Sequence, residues 1–184
     1  MESVYNMSKK VLILSGSPRK GGNSDILCDQ FMQGGKDSDN EVEKIFLRDK
    51  KINYCVACYA CRGTGKCAYK DDMAEILEKM IAADVIVLSS PVYFYSLDAQ
   101  MKTLIDRTVA RYTEITDKEL YFIITAADTS IPMMQRTIEC FRGFADCLNG
   151  AQEKGIVYGV GAWNLGEIEG TKAVQEAYEM GKNV

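Results

Sequence analysis

The sequence contains no histidine, which removes the usual side chain for proton transfer near neutral pH and the commonest metal ligand. Any chemistry must rest on cysteine, carboxylate, lysine, hydroxyls or a bound cofactor. Electron or hydride transfer through a cofactor needs no histidine, so redox chemistry rises in the ranking. No apolar run approaches the roughly 20 residues of a membrane span, and Met1 to Lys10 carry polar residues where a signal peptide would be apolar. A cytoplasmic protein with no membrane partner is expected. A basic stripe is also missing. The net charge is −4 with both signs interspersed, which does not suit neutralisation of a phosphate backbone, so nucleic acid is excluded as a partner. There is no internal repeat, low-complexity tract or linker. Met1 to Asn6 precede the first strand as a loose extension and are assigned no function.

What is present reads as one α/β domain spanning 1–184. At 184 residues, 47% hydrophobic and 26% charged, the chain has the mix of a globular protein with room for one core. Five short apolar runs, Val11 to Leu14, Val42 to Leu47, Val85 to Leu88, Leu120 to Ile124 and Ile156 to Val160, read as strands. Four are near-continuous, as in parallel strands covered on both faces, while Val42 to Leu47 alternates and suits an edge. Helical stripes alternate with them: Met73, Ile76, Leu77, Met80 and Ile81; Leu97, Met101, Leu104, Ile105 and Val109; Met134, Ile138, Phe141, Ala145 and Leu148; and Val174, Ala177, Tyr178 and Gly181. A weaker helix runs from Ser24 to about Gln33, ended by Gly34-Gly35. Right-handed crossovers then favour a doubly wound, three-layer α/β/α sheet of order 2-1-3-4-5, with the ligand at the loops after the first and third strands.

After the first strand comes Ser15-Gly16-Ser17-Pro18-Arg19-Lys20-Gly21-Gly22-Asn23-Ser24, then a helix. Free amides and the helix dipole make such a turn an anion site, with Ser17, Asn23 and Ser24 as side-chain donors and Arg19 as a charge. The alternative is a serine-rich turn whose Asn23 or Ser24 caps the helix. The loop has neither the Gly-Lys-Ser/Thr of a Walker loop nor the Gly-x-Gly-x-x-Gly of dinucleotide-binding domains, so a mononucleotide outranks ATP or NAD as the tightly held ligand. After the third strand comes Ser89-Ser90-Pro91-Val92-Tyr93-Phe94-Tyr95-Ser96. Three successive aromatics cannot all point inward, so at least one meets solvent or a flat ligand.

Gly16 to Ser24, Ser90-Pro91-Val92-Tyr93 and Gln100-Met101-Lys102-Thr103-Leu104-Ile105-Asp106-Arg107 together resemble the NADPH-dependent FMN reductase family. The resemblance spans most of the first 110 residues and implies a flavodoxin-like fold. It also implies FMN as cofactor, NAD(P)H as co-substrate and an unassigned electron acceptor. It assigns the FMN phosphate to Ser15, Ser17, Pro18, Arg19, Asn23 and Ser24, and the isoalloxazine to Pro91, Val92, Tyr93, Phe94, Tyr95 and Ser96. The loop after the fourth strand, through Ala127 and Asp128, is positioned to touch the flavin too. No catalytic side chain is assigned, because the flavin does the chemistry. A non-enzymatic carrier like flavodoxin, and a quinone or azo-dye reductase of the same fold, are alternatives. A homodimer or homotetramer is expected.

Cys55-x2-Cys58-x2-Cys61-x5-Cys67 occupies a loop at about 52–71. Cys28, Cys140 and Cys147 read as small buried hydrophobes. Zinc takes two knuckles with a longer spacer, whereas successive x2 intervals suit iron–sulfur clusters. The spacing resembles the iron–sulfur flavoproteins, a branch of the same superfamily in which four such cysteines hold a [4Fe-4S] cluster. Cluster-free thiols, tuned by Arg62, Lys66 and Lys70, and a zinc site remain alternatives. Asp72-Met73-Ala74-Glu75 reads as a capping box, Asp106 with Arg107 as a stabilising pair, and Trp163 as packing.

Overall fold

A computed structural model describes residues 8–184; the expectation for Met1 to Asn6 lies outside them. The strands are β1 (Lys10–Ser15), β2 (Glu41–Phe46), β3 (Val85–Pro91), β4 (Glu119–Ala126) and β5 (Gln152–Val160). They alternate with α1 (Asn23–Asp37), α2 (Met73–Ala82), α3 (Ala99–Arg107), α4 (Ile131–Ala145) and α5 (Lys172–Lys182). All the ladders are parallel, and the sheet order is β2-β1-β3-β4-β5, as expected from the alternation of strand and helix. Both edge strands, β2 and β5, are partly exposed, the second against the expectation from its apolar run because it has no neighbour beyond it, whereas β3 is buried along nearly its whole length.

The period of two sends neighbouring strand residues to opposite faces. Leu12, Leu14, Ile86, Leu88 and Phe122 pack under α2, α3 and α4. Val11, Ile13, Val87, Ile123 and Val157 pack under α1 and α5. The rings of Phe122 and Phe141 stack with centroids 4.9 Å apart and tie β4 to α4. On the other face Phe31 meets Tyr121 edge-on at 5.2 Å.

Helix α1 does not stop at Gln33. It runs through Gly34 and Gly35 to Asp37, because these glycines serve packing between helices rather than termination. A Cβ on Gly34 would lie 2.1 Å from the Tyr178 carbonyl oxygen, and one on Gly181 would lie 2.1 Å from that of Phe31. The two helices approach backbone to backbone, and no side chain fits between them. The stripe expected to end at Val109 also changes: α3 closes at Arg107 and Val109 is exposed. The capping box at Asp72 does not form. Asp72 has helical backbone angles and no side-chain cap bond, because its carboxylate accepts from the Lys51 amide at 2.6 Å instead. Cys28 is buried as expected, but Cys140 on α4 and Cys147 in the turn after it are exposed. Both line a groove beside Val109 and Tyr112.

Candidate functional site

The carboxyl ends of β1, β3 and β4 open into one cleft of about 150 Å³, lined by Ser17, Arg19, Gly22, Asn23, Ser24, Pro91, Val92, Tyr93, Thr125, Ala127, Ala162 and Trp163. This is the point where the chain's path reverses, β1 leading to β2 on one side and β3 on the other, and crevices at such points are where open α/β sheets bind ligands. Of the residues expected at a ligand, Ser17, Arg19, Asn23, Ser24, Pro91, Val92, Tyr93 and Ala127 come together here. Ser15, Pro18, Phe94, Tyr95, Ser96 and Asp128 do not line the cleft. Ser15 is buried in β1 below it, with no partner for its hydroxyl. Gly22, Thr125, Ala162 and Trp163 complete it.

Within the phosphate-loop candidate, most side-chain donors are already engaged. The Ser24 hydroxyl shares a 2.6 Å bond with that of Thr125, and the Ser17 hydroxyl accepts from the Arg19 amide at 3.2 Å. Asn23 donates to the Asn164 carbonyl at 2.9 Å and accepts from the Ile168 amide at 3.3 Å, which latches the loop after β5 onto the start of α1. What stays free is the end of the helix itself. The N-cap residue is Gly22, and no described side chain caps α1, so among the described residues its first-turn amides are left unpaired, the arrangement that binds anions. A Cβ on Gly22 would come within 3.0 Å of the Arg19 carbonyl. Among the described residues the Arg19 guanidinium makes only a long 3.3 Å bond, to the Trp163 carbonyl. Asp25 would oppose an anion, but its two oxygens are taken by the Gly21 amide at 2.9 Å and by Lys44 at 2.7 Å.

The aromatic loop is held from beneath by Asp98. This buried carboxylate caps α3 through the Met101 amide at 3.0 Å and accepts from the Ser90 hydroxyl at 2.7 Å. Burial pushes its pKa up, against the pull of those bonds. Gly16 packs directly on it, since a Cβ there would lie 2.3 Å from Asp98 Oδ2. The two ligand-facing loops are therefore in contact at their roots. Above, Tyr93 and Ser96 exchange backbone bonds at 3.1 and 3.0 Å across a two-residue turn. Its central residues, Phe94 and Tyr95, have φ of 50° and 56°, a left-handed conformation that costs a bulky residue about 1–2 kcal/mol. The turn throws Phe94 fully into solvent, while the Tyr95 hydroxyl donates to Asp128 at 3.1 Å.

Trp163 does not pack. It stands 71% exposed at the rim of the cleft, because the loop carrying it is fixed by its backbone. Glu167 accepts from the Trp163 and Asn164 amides, each at 2.7 Å. No local pattern marks this contribution, because it depends on the long-range latch to Asn23.

The stretch between β2 and α2 is without strand or helix from 50 to 72. Cys55, Cys58, Cys61 and Cys67 all line one cavity of about 360 Å³ beside Tyr59, Tyr69 and Arg107. The backbone coils around it with Ala57 and Tyr59 in left-handed conformation, φ 52° and 59°. The Ala57 amide points at Cys55 Sγ at 3.5 Å. Among the described residues no group of three or more potential ligands is arranged to hold a metal ion. Arg107 is not paired with Asp106, which instead accepts from Lys102 at 2.5 Å. Arg107 points inward, almost fully buried, and grips Asp71 with two bonds of 2.8 and 2.9 Å. Burial alone would raise the Asp71 pKa, but this guanidinium and the Asn53 donors hold it well below the usual carboxylate range.

The fold and the cleft at the crossover define a flavodoxin-like α/β protein. The NADPH-dependent FMN reductase family model matches residues 9–138, and the chain belongs to that family. It is 43% identical over 98 residues to an iron-sulfur flavoprotein of Archaeoglobus fulgidus, covering 53% of this chain and 44% of the relative. It is 46% identical over 99 residues to one of Methanocaldococcus jannaschii, covering 54% and 51%. The aligned part is thus about half the length of these relatives. A putative NAD(P)H-dependent FMN-containing oxidoreductase of Bacillus subtilis is 25% identical, with 83% of this chain and 85% of that one covered. Among solved structures, an azoreductase of Bacillus anthracis superimposes with a TM-score of 0.76 at 17% identity, covering 96% of this chain and all of the other. That likeness supports the fold.

Proposed function

We propose that the protein is an FMN-dependent oxidoreductase that takes electrons from NAD(P)H or a reduced carrier and delivers them to an acceptor, with a [4Fe-4S] cluster on the cysteine loop. The observation that carries this reading is the uncapped start of α1, opening into the same cleft as Arg19, Tyr93 and Trp163. Arg19 and the first-turn amides would hold the phosphate. Arg19 can leave its single long bond at little cost, and a charge-assisted bond to phosphate contributes about 1.5–3 kcal/mol. Val92, Tyr93 and Trp163 would flank the flat ring, and Ser17, Ser24 and Thr125 hold the walls in place. Bound FMN supplies hydride acceptance and one-electron transfer. The four cysteines that line one cavity would hold the cluster, their successive x2 spacing suits one, and an amide directed at a cysteine sulfur is the kind of bond that tunes such centres. Unpartnered apolar side chains at Phe94, Val109 and Tyr112 suit the homodimer or homotetramer that belongs to the same reading, and the free cysteines suit a reducing cytoplasm.

The test is steady-state NADH and NADPH oxidation by anaerobically purified, FMN-loaded protein with a quinone or ferricyanide as acceptor. Turnover is expected. Its absence with both nicotinamides, in protein that holds FMN, would identify a carrier instead of an enzyme.

A further inference from the structure

Arg107 closes α3 at the foot of the cysteine loop and is 2% exposed. Its guanidinium reaches both ends of that loop. One terminal nitrogen donates to the Asn53 carbonyl at 2.5 Å, two residues before Cys55. The same nitrogen and its twin clasp the Asp71 carboxylate, four residues after Cys67. Asp71 in turn accepts from the Asn53 amide and side chain, each at 3.0 Å, so the three residues form one closed knot. A further donor, Nε–H, is buried with no hydrogen-bond partner among the described residues. Such a group is costly unless something satisfies it. Arg107 also lines the four-cysteine cavity, where Cys67 stands next to its guanidinium, and the Tyr69 ring covers it at 5.3 Å.

We infer that Arg107 is a positioning residue for the cysteine cavity. It knots the two ends of the loop so that the thiols face one space, and it presents its charge to whatever the thiols hold. This inference rests on the cluster reading above. A centre of iron, sulfide and four thiolates is anionic, and its reduction adds one electron and one negative charge. A buried cation against its wall therefore favours the reduced state and raises the potential. A lysine at 107 keeps the charge but not the fork, because it offers a point charge where the knot needs planar, divergent donors.

Arg107→Lys and Arg107→Gln separate the two roles. In cluster-free protein, amide hydrogen exchange over residues 51–72 should quicken at least about tenfold in both variants, the factor that one lost charge-assisted bond supplies. After anaerobic reconstitution with iron and sulfide, the midpoint potential of Arg107→Gln should fall below that of the parent, while Arg107→Lys stays close to it. Should Arg107→Gln leave Asp71 unpaired and fail to fold, the double variant R107Q/D71N, which leaves no lone buried charge, replaces it, and its potential is then read against that of Asp71→Asn, from which it differs only by the lost cation. Unchanged exchange in the loop overturns the positioning role. A potential that moves equally in the lysine and glutamine variants overturns the electrostatic one. If the parent itself takes up no iron and sulfide, the cluster reading and the electrostatic role fall together, and the exchange measurement alone decides the knot.

Discussion

Replacing Gly34 by alanine tests whether α1 is placed by direct backbone contact. The new methyl would sit 2.1 Å from the Tyr178 carbonyl oxygen and 2.8 Å from the Lys182 nitrogen. Both are main-chain atoms, so no rotamer change relieves the overlap, and α1 and α5 must separate by about 1 Å to regain van der Waals contact. Overpacking of this kind costs about 1–3 kcal/mol, and the gain of alanine over glycine in a helix returns about 1 kcal/mol. Because the clash is with backbone, the upper part of that range applies, and a net loss of about 2 kcal/mol follows. Gly143 on α4 is the control. A Cβ there meets nothing within 4 Å, so Gly143→Ala should stabilise by about 0.5–1 kcal/mol. Urea unfolding followed by far-UV circular dichroism measures both. The displaced α1 carries the candidate anion seat at its other end, so FMN affinity should drop with Gly34→Ala and stay constant with Gly143→Ala. Equal stability of the two variants would refute the close-packed placement.

Three further outcomes follow from the site. Trp163 is the only tryptophan and lines the cleft, so its emission should be quenched as FMN is added, and Asn23→Ala, which releases the loop after β5, should weaken that quenching. Arg19→Ala should weaken FMN about 10- to 100-fold, the equivalent of one charge-assisted bond, and leave riboflavin binding unchanged in the same titration. Asp71→Asn removes one half of a buried pair and should cost about 3–5 kcal/mol near neutral pH. The Asp71 pKa is depressed by folding, so its contribution is whole above the ordinary value of 3.8 and is lost as the pH falls through the depressed one. Urea midpoints of parent and variant should therefore converge towards acid pH, and a gap that persists there would argue against the ion pair.

How far the sequence reached depended on the range of the interaction. Apolar runs and stripes report local burial, so the existence and sequence of strands and helices are readable in the chain, and the crossover rules then give the order of the sheet. The Ser15 to Ser24 and Ser89 to Ser96 loops were readable as well, because a turn between a strand and a helix is written in consecutive residues. What escaped was set by distant partners. Gly34-Gly35 looks like a stop signal until α5 is laid against it, and Asp106 looks like the partner of Arg107 until Asp71 arrives across the cysteine loop. Trp163 looks like core until Glu167 and Asn23 fix its backbone at the rim. Cys140 and Cys147 look buried by residue type, yet the end of α4 and the turn after it, which carry them, are not covered by the rest of the described chain.

The most direct test of the account is calorimetric titration of cofactor-free protein with FMN and, separately, with riboflavin, which lacks the phosphate. If α1 and Arg19 seat that phosphate, FMN binds with a Kd of about 1 μM or below and riboflavin binds roughly 100-fold more weakly, with the difference shrinking as salt is raised. Equal affinity for the two compounds, or no heat from either, contradicts it.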